Sequence, residues 1–438
     1  MPATITNATR VHSAISFIKN FSTEDLYLFA GRVNPWDDEN SPDKASTMYS
    51  DIRSIKKANV FMKKSTAVGS TLGLKRNDWA SGIIYTAWDD QEDMYPVDVL
   101  YQLDAPFHVL VVDSSSGVIQ YNVYICLDNN YGGVSTIQPF GQLISPVVYA
   151  DGYKWKFMYS VSDTFLNYIS EAFIPCPYMD ADKSDAHLSV QSNAIPGTID
   201  KLDIIDPGMT YTNATITVTG DGTGCIVAPI IDAEGKITQY NISNAGAGYT
   251  YAVVTVNGDG VNANIRAVIS PLEGHGYDVS MQLGASHVLY KESFLSDEGG
   301  LFPYVSAYRR IGIMRNIKDH SGNLLTGDRY SLTDQIKVTN VSGDFLFSGT
   351  IIGNSSGTTA LLYNIIGDDF FITDKVGEFV AGESIHLESD PAVIAAITEI
   401  NNNTIVDITT GDVIYYENMM PVTRRSGQSE TFIFSVEY

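Results

Sequence analysis

Apolar and polar residues alternate along most of this chain. In Gly152-Tyr-Lys-Trp-Lys-Phe-Met-Tyr159, the aromatic residues Tyr153, Trp155 and Phe157 fall on one side and Lys154 and Lys156 on the other. That two-residue period predicts a half-buried strand. The same reading places strands at Leu26–Phe29, Phe107–Val112, Val118–Ile125, Asp412–Tyr416 and Thr431–Val436. Asp113-Ser-Ser-Ser-Gly117 has the composition of a hairpin turn between two of them. One stretch breaks the rule. Ala45, Met48, Ile52 and Ile55 recur at spacings of three and four, which predicts a helix from Ser41 to about Lys64. Ser41-Pro42 would cap it, and Lys56-Lys57 and Lys63-Lys64 would lie on its polar face. The expected class is mostly β with some α: an antiparallel β-sandwich core with a helical segment and two inserted small β modules.

The first module declares itself by repetition. Gly197-Thr-Ile199, Tyr211-Thr212 and Gly220-Asp221-Gly222 recur as Gly235-Lys-Ile237, Tyr249-Thr250 and Gly258-Asp259-Gly260, each 38 residues on. A fixed offset marks two copies of one supersecondary unit, here strand, turn, strand over residues 197–270. The Gly-Asp-Gly triplets suit turns that need positive φ. Calcium is the alternative reading of Gly220–Gly224, although the run lacks the further carboxylates of a six- to eight-oxygen shell. The second module spans residues 333–403, where Gln335–Val338, Ala360–Tyr363 and Asp369–Ile372 alternate with glycine-rich turns. What remains, 1–196 with 271–332 and 404–438, forms a discontinuous core long enough for one large domain or two modest ones.

Composition narrows function by exclusion. With 27 basic and 51 acidic residues, the net charge is −24. Nucleic acid and anionic membrane surfaces would repel such a chain. Charged residues make up 18% while tyrosines number 26, so much of the surface is uncharged or aromatic, as on a protein covered by neighbours or simply a Tyr-rich β protein. Cys126, Cys176 and Cys225 form neither a disulfide framework nor a CxxC metal site, which fits a reducing compartment. An export signal and a membrane-spanning run are not expected.

Catalytic patterns are weak. Gly353-Asn-Ser355-Ser-Gly357 matches the nucleophile elbow in letters, but its flanks read as short strands and the only later histidine, His386, lies in the same module. Phosphate loops, dinucleotide fingerprints and zincin motifs do not occur. His275, between two glycines, reads as a turn residue. The acidic run from Trp88 to Asp93 reads as a solvated loop, with a paired-carboxylate glycosidase site as the competing idea.

With the modules set aside, the core carries short signatures in a fixed order. They are Phe29-Ala-Gly-Arg32-Val-Asn-Pro35-Trp36, Arg76-Asn-Asp78-Trp79, Tyr124-Ile-Cys126-Leu-Asp128, Asp151-Gly-Tyr153-Lys-Trp155, Tyr308-Arg309-Arg310, and Gly411 through Tyr415, Glu417 and Asn418 to Pro421. Together they resemble the gene-eight-type baseplate wedge subunit of contractile-tailed, T-even-like bacteriophages. The resemblance covers most of the core and neither inserted module.

It implies a non-enzymatic virion protein of the tail baseplate, assembled in the host cytoplasm. The fold would be a β-sandwich core with helical parts, and the protein a homodimer bridging other wedge subunits, with no cofactor, metal or catalytic residue. Arg32, Pro35, Trp36, Arg76, Asp78, Trp79, Trp155, Tyr415, Glu417 and Asn418 match motif positions. The tryptophans are expected to anchor the core, and the arginines and Glu417 to form buried or interfacial pairs. A carbohydrate- or receptor-binding tail protein is the alternative.

Overall fold

The computed structural model describes residues 4–65, 69–96, 103, 105–115, 117–303 and 307–438. Residue 116 of the predicted hairpin turn lies outside them. The chain is mostly β, built of antiparallel sheets with few helices. It divides into two compact units: Met1–Ser16 with Thr71–Leu289 and Ser435–Tyr438, and Phe17–Ser70 with Tyr290–Phe434.

In the first unit, strands His108–Asp113, Gln120–Asn129, Tyr153–Ser160 and Val147–Val148 pair in that order. One face buries Val109, Val111, Tyr124, Trp155 and Phe157, the alternation read from sequence. The other face differs from expectation, because it too is covered. Lys156 is buried, its Nζ donating to the Ile144 carbonyl at 2.5 Å, and burial pushes its pKa down to about 8. A strand covered on both faces cannot show strict alternation of polarity.

The repeat in this unit is an interlocked pair. Each copy supplies three strands: Ile199–Met209, Ala214–Gly220 and Thr223–Ile231 in the first, Ile237–Ala247, Ala252–Gly258 and Val261–Ile269 in the second. The middle strands pair antiparallel with Thr217 opposite Thr255, positions that correspond between copies, so a local two-fold axis passes between them. The third strand of each copy pairs with the first strand of the other. Ile199, Ile216, Val227, Ile237 and Ile265 fill the shared core.

In the second unit, a five-stranded sheet has the order Arg329–Ser331, Asn59–Lys64, Leu26–Gly31, Ala307–Arg315, Asp412–Thr423. Leu28 and Ala30 face a layer that includes Tyr290, Phe294, Phe432 and Phe434, while Tyr27 and Phe29, with Met314 on the adjacent strand, pack on the other side with Ile55. Each such aromatic, once buried, contributes about 1.5–3 kcal/mol of transfer free energy.

The module at residues 333–403 closes on itself as a six-stranded barrel, running in order Asp334–Ser342, Asp369–Val376, Thr359–Ile366, Thr350–Gly353, Ser384–Leu387, Asp390–Asn401. Pairs such as Ile336 and Val338, Phe370 and Ile372, and Ile385 and Leu387 point inward at the two-residue period. Closure leaves the barrel no open edge.

The predicted helix over 41–64 is corrected. The helix is Tyr49–Lys57, and a strand begins at Asn59. Residues 43–46 form no regular element and are held by the strand Asp412–Thr423 instead: Asn418 Nδ2 donates to the Asp43 carbonyl at 2.7 Å and the Tyr416 hydroxyl to the Ser46 carbonyl at 2.7 Å. Lys63 and Lys64 therefore belong to a strand, where Lys64 meets Asp25 at 2.6 Å. Sequence reading also passed over a helix at Asn7–Thr23, although Val11, Ala14, Ile18 and Phe21 carry its period and are buried.

Candidate functional site

Three of the dispersed signatures meet around Trp36 in the second unit. Gly31 ends its strand where a Cβ would strike the Ala58 carbonyl and Asn59. The chain then turns at Arg32, which takes φ +55°, a conformation rare outside glycine and often retained where a side chain must be re-aimed. That turn lays the Arg32 guanidinium 3.5 Å from the centre of the Trp36 ring. Trp36 is 5% exposed and donates Nε1–H to the Met419 carbonyl at 2.9 Å, joining the first signature to the last. Arg310 lies 6.0 Å from the same ring and 5.5 Å from that of Tyr416, and its Nε donates to Asn418 Oδ1 at 2.7 Å. Cation–π contacts of this kind strengthen as water is excluded.

The charges here are unequally satisfied. Arg309 holds Glu39 through Nε and Nη2 at 2.6 to 2.9 Å and the Val33 carbonyl through Nη1, fixing the 32–39 loop. Arg32 and Arg310 form no ion pair within the 4.0 Å limit of contact among the described residues. Burial, with Arg32 next to it, pushes Arg310 down to about 10. Among the described residues Glu417 has no ion pair within this chain. Glu417 is exposed and accepts from the Tyr415 hydroxyl at 3.2 Å, because it sits on the outermost strand while Arg32 is drawn to the indole. Pro35 is exposed and lends its carbonyl to Arg32.

The remaining signature residues lie in the first unit. Trp155 is buried, stacked on Tyr153 at 5.7 Å with Tyr85 edge-on at 5.4 Å, as expected of a core anchor. Trp79 is half-buried and donates to Ser135 Oγ at 3.1 Å. Arg76 pairs with Asp78 at 3.0 Å, but Asp78 is exposed, so the pair is a surface one of small energetic weight.

Other candidates turn out to be structural. Asp221 accepts from the amides of Thr250 and Tyr251 and from the Thr250 hydroxyl, and Asp259 does the same for Thr212 and Asn213. Each Gly-Asp-Gly thus clamps the Tyr-Thr turn of the other copy. The triplet glycines do not take positive φ. They make room instead, since a Cβ on Gly222 or Gly260 would fall into the ring of Tyr249 or Tyr211. Among the described residues, no group of three His, Cys, Asp or Glu is placed to hold a metal ion.

The acidic run is an exposed loop from Asp90 to Asp93, as expected, but it is anchored at its start. Asp89 is buried against Arg266 at 2.6 Å, and Asp90 meets the same guanidinium at 2.9 Å, so the run secures the last strand of the repeat. Ser355 lies on a barrel hairpin whose amides at 355 and 356 are already taken by Glu383. His386 faces Asn354 at 2.6 Å. His275 is the turn residue expected, between glycines at positive φ, but it is buried edge-on to Trp88.

The adjacent arginines of Tyr308-Arg309-Arg310 complete the cluster around Trp36, a placement not expected from the sequence. Two charges side by side in an otherwise apolar strand were the available signal. The fold and this cluster define a mostly β protein of antiparallel sheets carrying an aromatic–arginine node. Protein-family models give no match to the chain, and neither do curated proteins. Among the described residues, no helix is long and apolar enough to cross a membrane.

Proposed function

We propose that this chain is a structural subunit of the baseplate wedge of a contractile phage tail, a dimeric scaffold that bridges other wedge proteins in the virion. One observation carries the reading. The signatures at 29–36, 308–310 and 415–419, far apart in sequence, assemble into one Trp36-centred node, which is how motif residues behave when they serve a common surface. The surface is compatible with it: Tyr49, Phe140, Leu143 and Leu272 are among many large apolar side chains left exposed, and such side chains mark contact sites where they form a contiguous patch. The net charge of −24 keeps the free subunit soluble.

The test is quantitative mass spectrometry of purified tails together with sedimentation of the isolated chain. The expected result is a stoichiometric virion component and a dimer with an interface above about 1,000 Å². A chain that stays monomeric at high concentration and is missing from virions refutes it.

A carbohydrate- or receptor-binding tail protein is the second reading, favoured by the repeat. Its strands Ala214–Gly220, Thr223–Ile231, Ile237–Ala247 and Ala252–Gly258 hold no charged residue, and Tyr251 is 59% exposed. Glycan-array binding that is lost in Tyr251→Ala would favour it over the scaffold.

A further inference from the structure

Next to the Trp36 node runs a groove of about 560 Å³, between the helix Tyr49–Lys57 with the segment before it and the start of the strand Asp412–Thr423. Ala45, Ile52, Val413 and Ile414 give it apolar walls, and Tyr49 stands 87% exposed at its lip. Its charged lining is Arg53 and Lys56 against the single carboxylate of Asp412. In a chain of net charge −24 this is a local reversal of sign. Tyr416 belongs both to the groove wall and to the ring under Arg310, so groove and node are continuous.

Among the described residues neither Arg32 nor Arg310 has a carboxylate in direct contact; Asp43 acts on both from further off, with Asp37 and Glu39 near Arg32 and Asp51 near Arg310. Arg310 is 8% exposed and its one hydrogen bond goes to neutral Asn418. Arg32 donates to the Pro35 carbonyl and keeps a buried Nε without an acceptor. Arg53 is exposed. A buried guanidinium gains most from a planar carboxylate held by two hydrogen bonds, as the neighbouring Arg309 shows with Glu39. The groove wall is also the edge strand of its sheet, a template along which an extended segment can lie.

We propose that the groove and the Arg32–Arg310 shelf receive an extended acidic segment of a partner protein, its apolar side chains in the groove and a carboxylate on the arginines. The inference deepens the scaffold reading by naming the chemistry of one neighbour. It is testable on the isolated chain, so the two fail separately: absence from virions removes the scaffold and leaves the groove.

The experiment measures fluorescence anisotropy of a labelled 12-residue peptide alternating Leu and Glu, which as a strand puts its carboxylates on one side. Its Leu/Gln counterpart is the control. The expected result is at least tenfold tighter binding of the Glu peptide, weakened by salt and lost at least tenfold in Arg53→Glu, whose exposed site leaves the melting temperature unchanged. Arg310→Met weakens binding further. Equal binding of the two peptides, no binding, or indifference to Arg53→Glu overturns the proposal. So does full displacement by inorganic phosphate at constant ionic strength, which would mark a site for small anions.

Discussion

Acid should unfold the first unit through its histidines. His108, His187 and His275 are all buried there. Burial pushes each from the ordinary value of 6.5 down to about 4, with Lys183 adding to the effect at His187. Neither ring nitrogen of His187 has a hydrogen-bond partner, and Asp278 and Asp180 offset only part of the cost of charging it. Because the folded values lie below the unfolded ones, the unfolded chain binds more protons between pH 6.5 and 4. Stability is therefore complete above about pH 6.5 and falls as pH drops towards 4.

A gap from 6.5 to about 4 is worth about 3 kcal/mol per ring, so three rings approach 10 kcal/mol, comparable with the whole stability of a domain. Asp90, Asp128 and Asp182, which burial raises, take up protons in the folded state and offset part of this loss. Urea titrations from pH 7.5 to 4.5, followed by tryptophan emission, are the assay, since Trp79, Trp88 and Trp155 lie in this unit. The midpoint should fall steeply below pH 6.5, and His187→Leu should remove about a third of the slope. A midpoint that stays flat or rises as pH falls, or a slope unchanged in His187→Leu, would refute the reasoning.

Two further outcomes follow from packing and charge. Gly222→Ala and Gly260→Ala should each cost about 1–3 kcal/mol by driving a methyl group into Tyr249 or Tyr211, seen as similar drops in melting temperature. A large effect at one site alone would contradict the two-fold clamp. In the second unit Arg424 is fully buried, 3.3 Å from Glu430, with carbonyls of Leu295, Ser296 and Phe302 around it. Arg424→Met should cost about 3–5 kcal/mol by stranding that carboxyl, and Arg424→Met with Glu430→Leu should recover most of the loss in denaturant unfolding.

Period-two alternation was enough to place strands such as Leu26–Gly31, Gln120–Asn129 and Tyr153–Ser160 and the class of fold, because side-chain direction in a strand depends on local backbone geometry alone. The offset of 38 residues likewise announced the two copies. Trp155 was legible as a core anchor for the same reason: its neighbours Tyr153 and Phe157 share its side of the strand.

What lay beyond reach depends on partners distant in sequence. The helix expected from Ser41 starts only at Tyr49, and Asn418 and Tyr416 take the carbonyls of Asp43 and Ser46 that a helical turn would have used. Lys156 became buried, Asp89 found Arg266 and the Gly-Asp-Gly turns found the opposite copy, each through contacts that no local pattern encodes. Closure of the barrel and the meeting of Arg32, Trp36, Arg310 and Asn418 belong with these. Local periodicity reports which way a side chain points, and only the folded chain determines what it meets there.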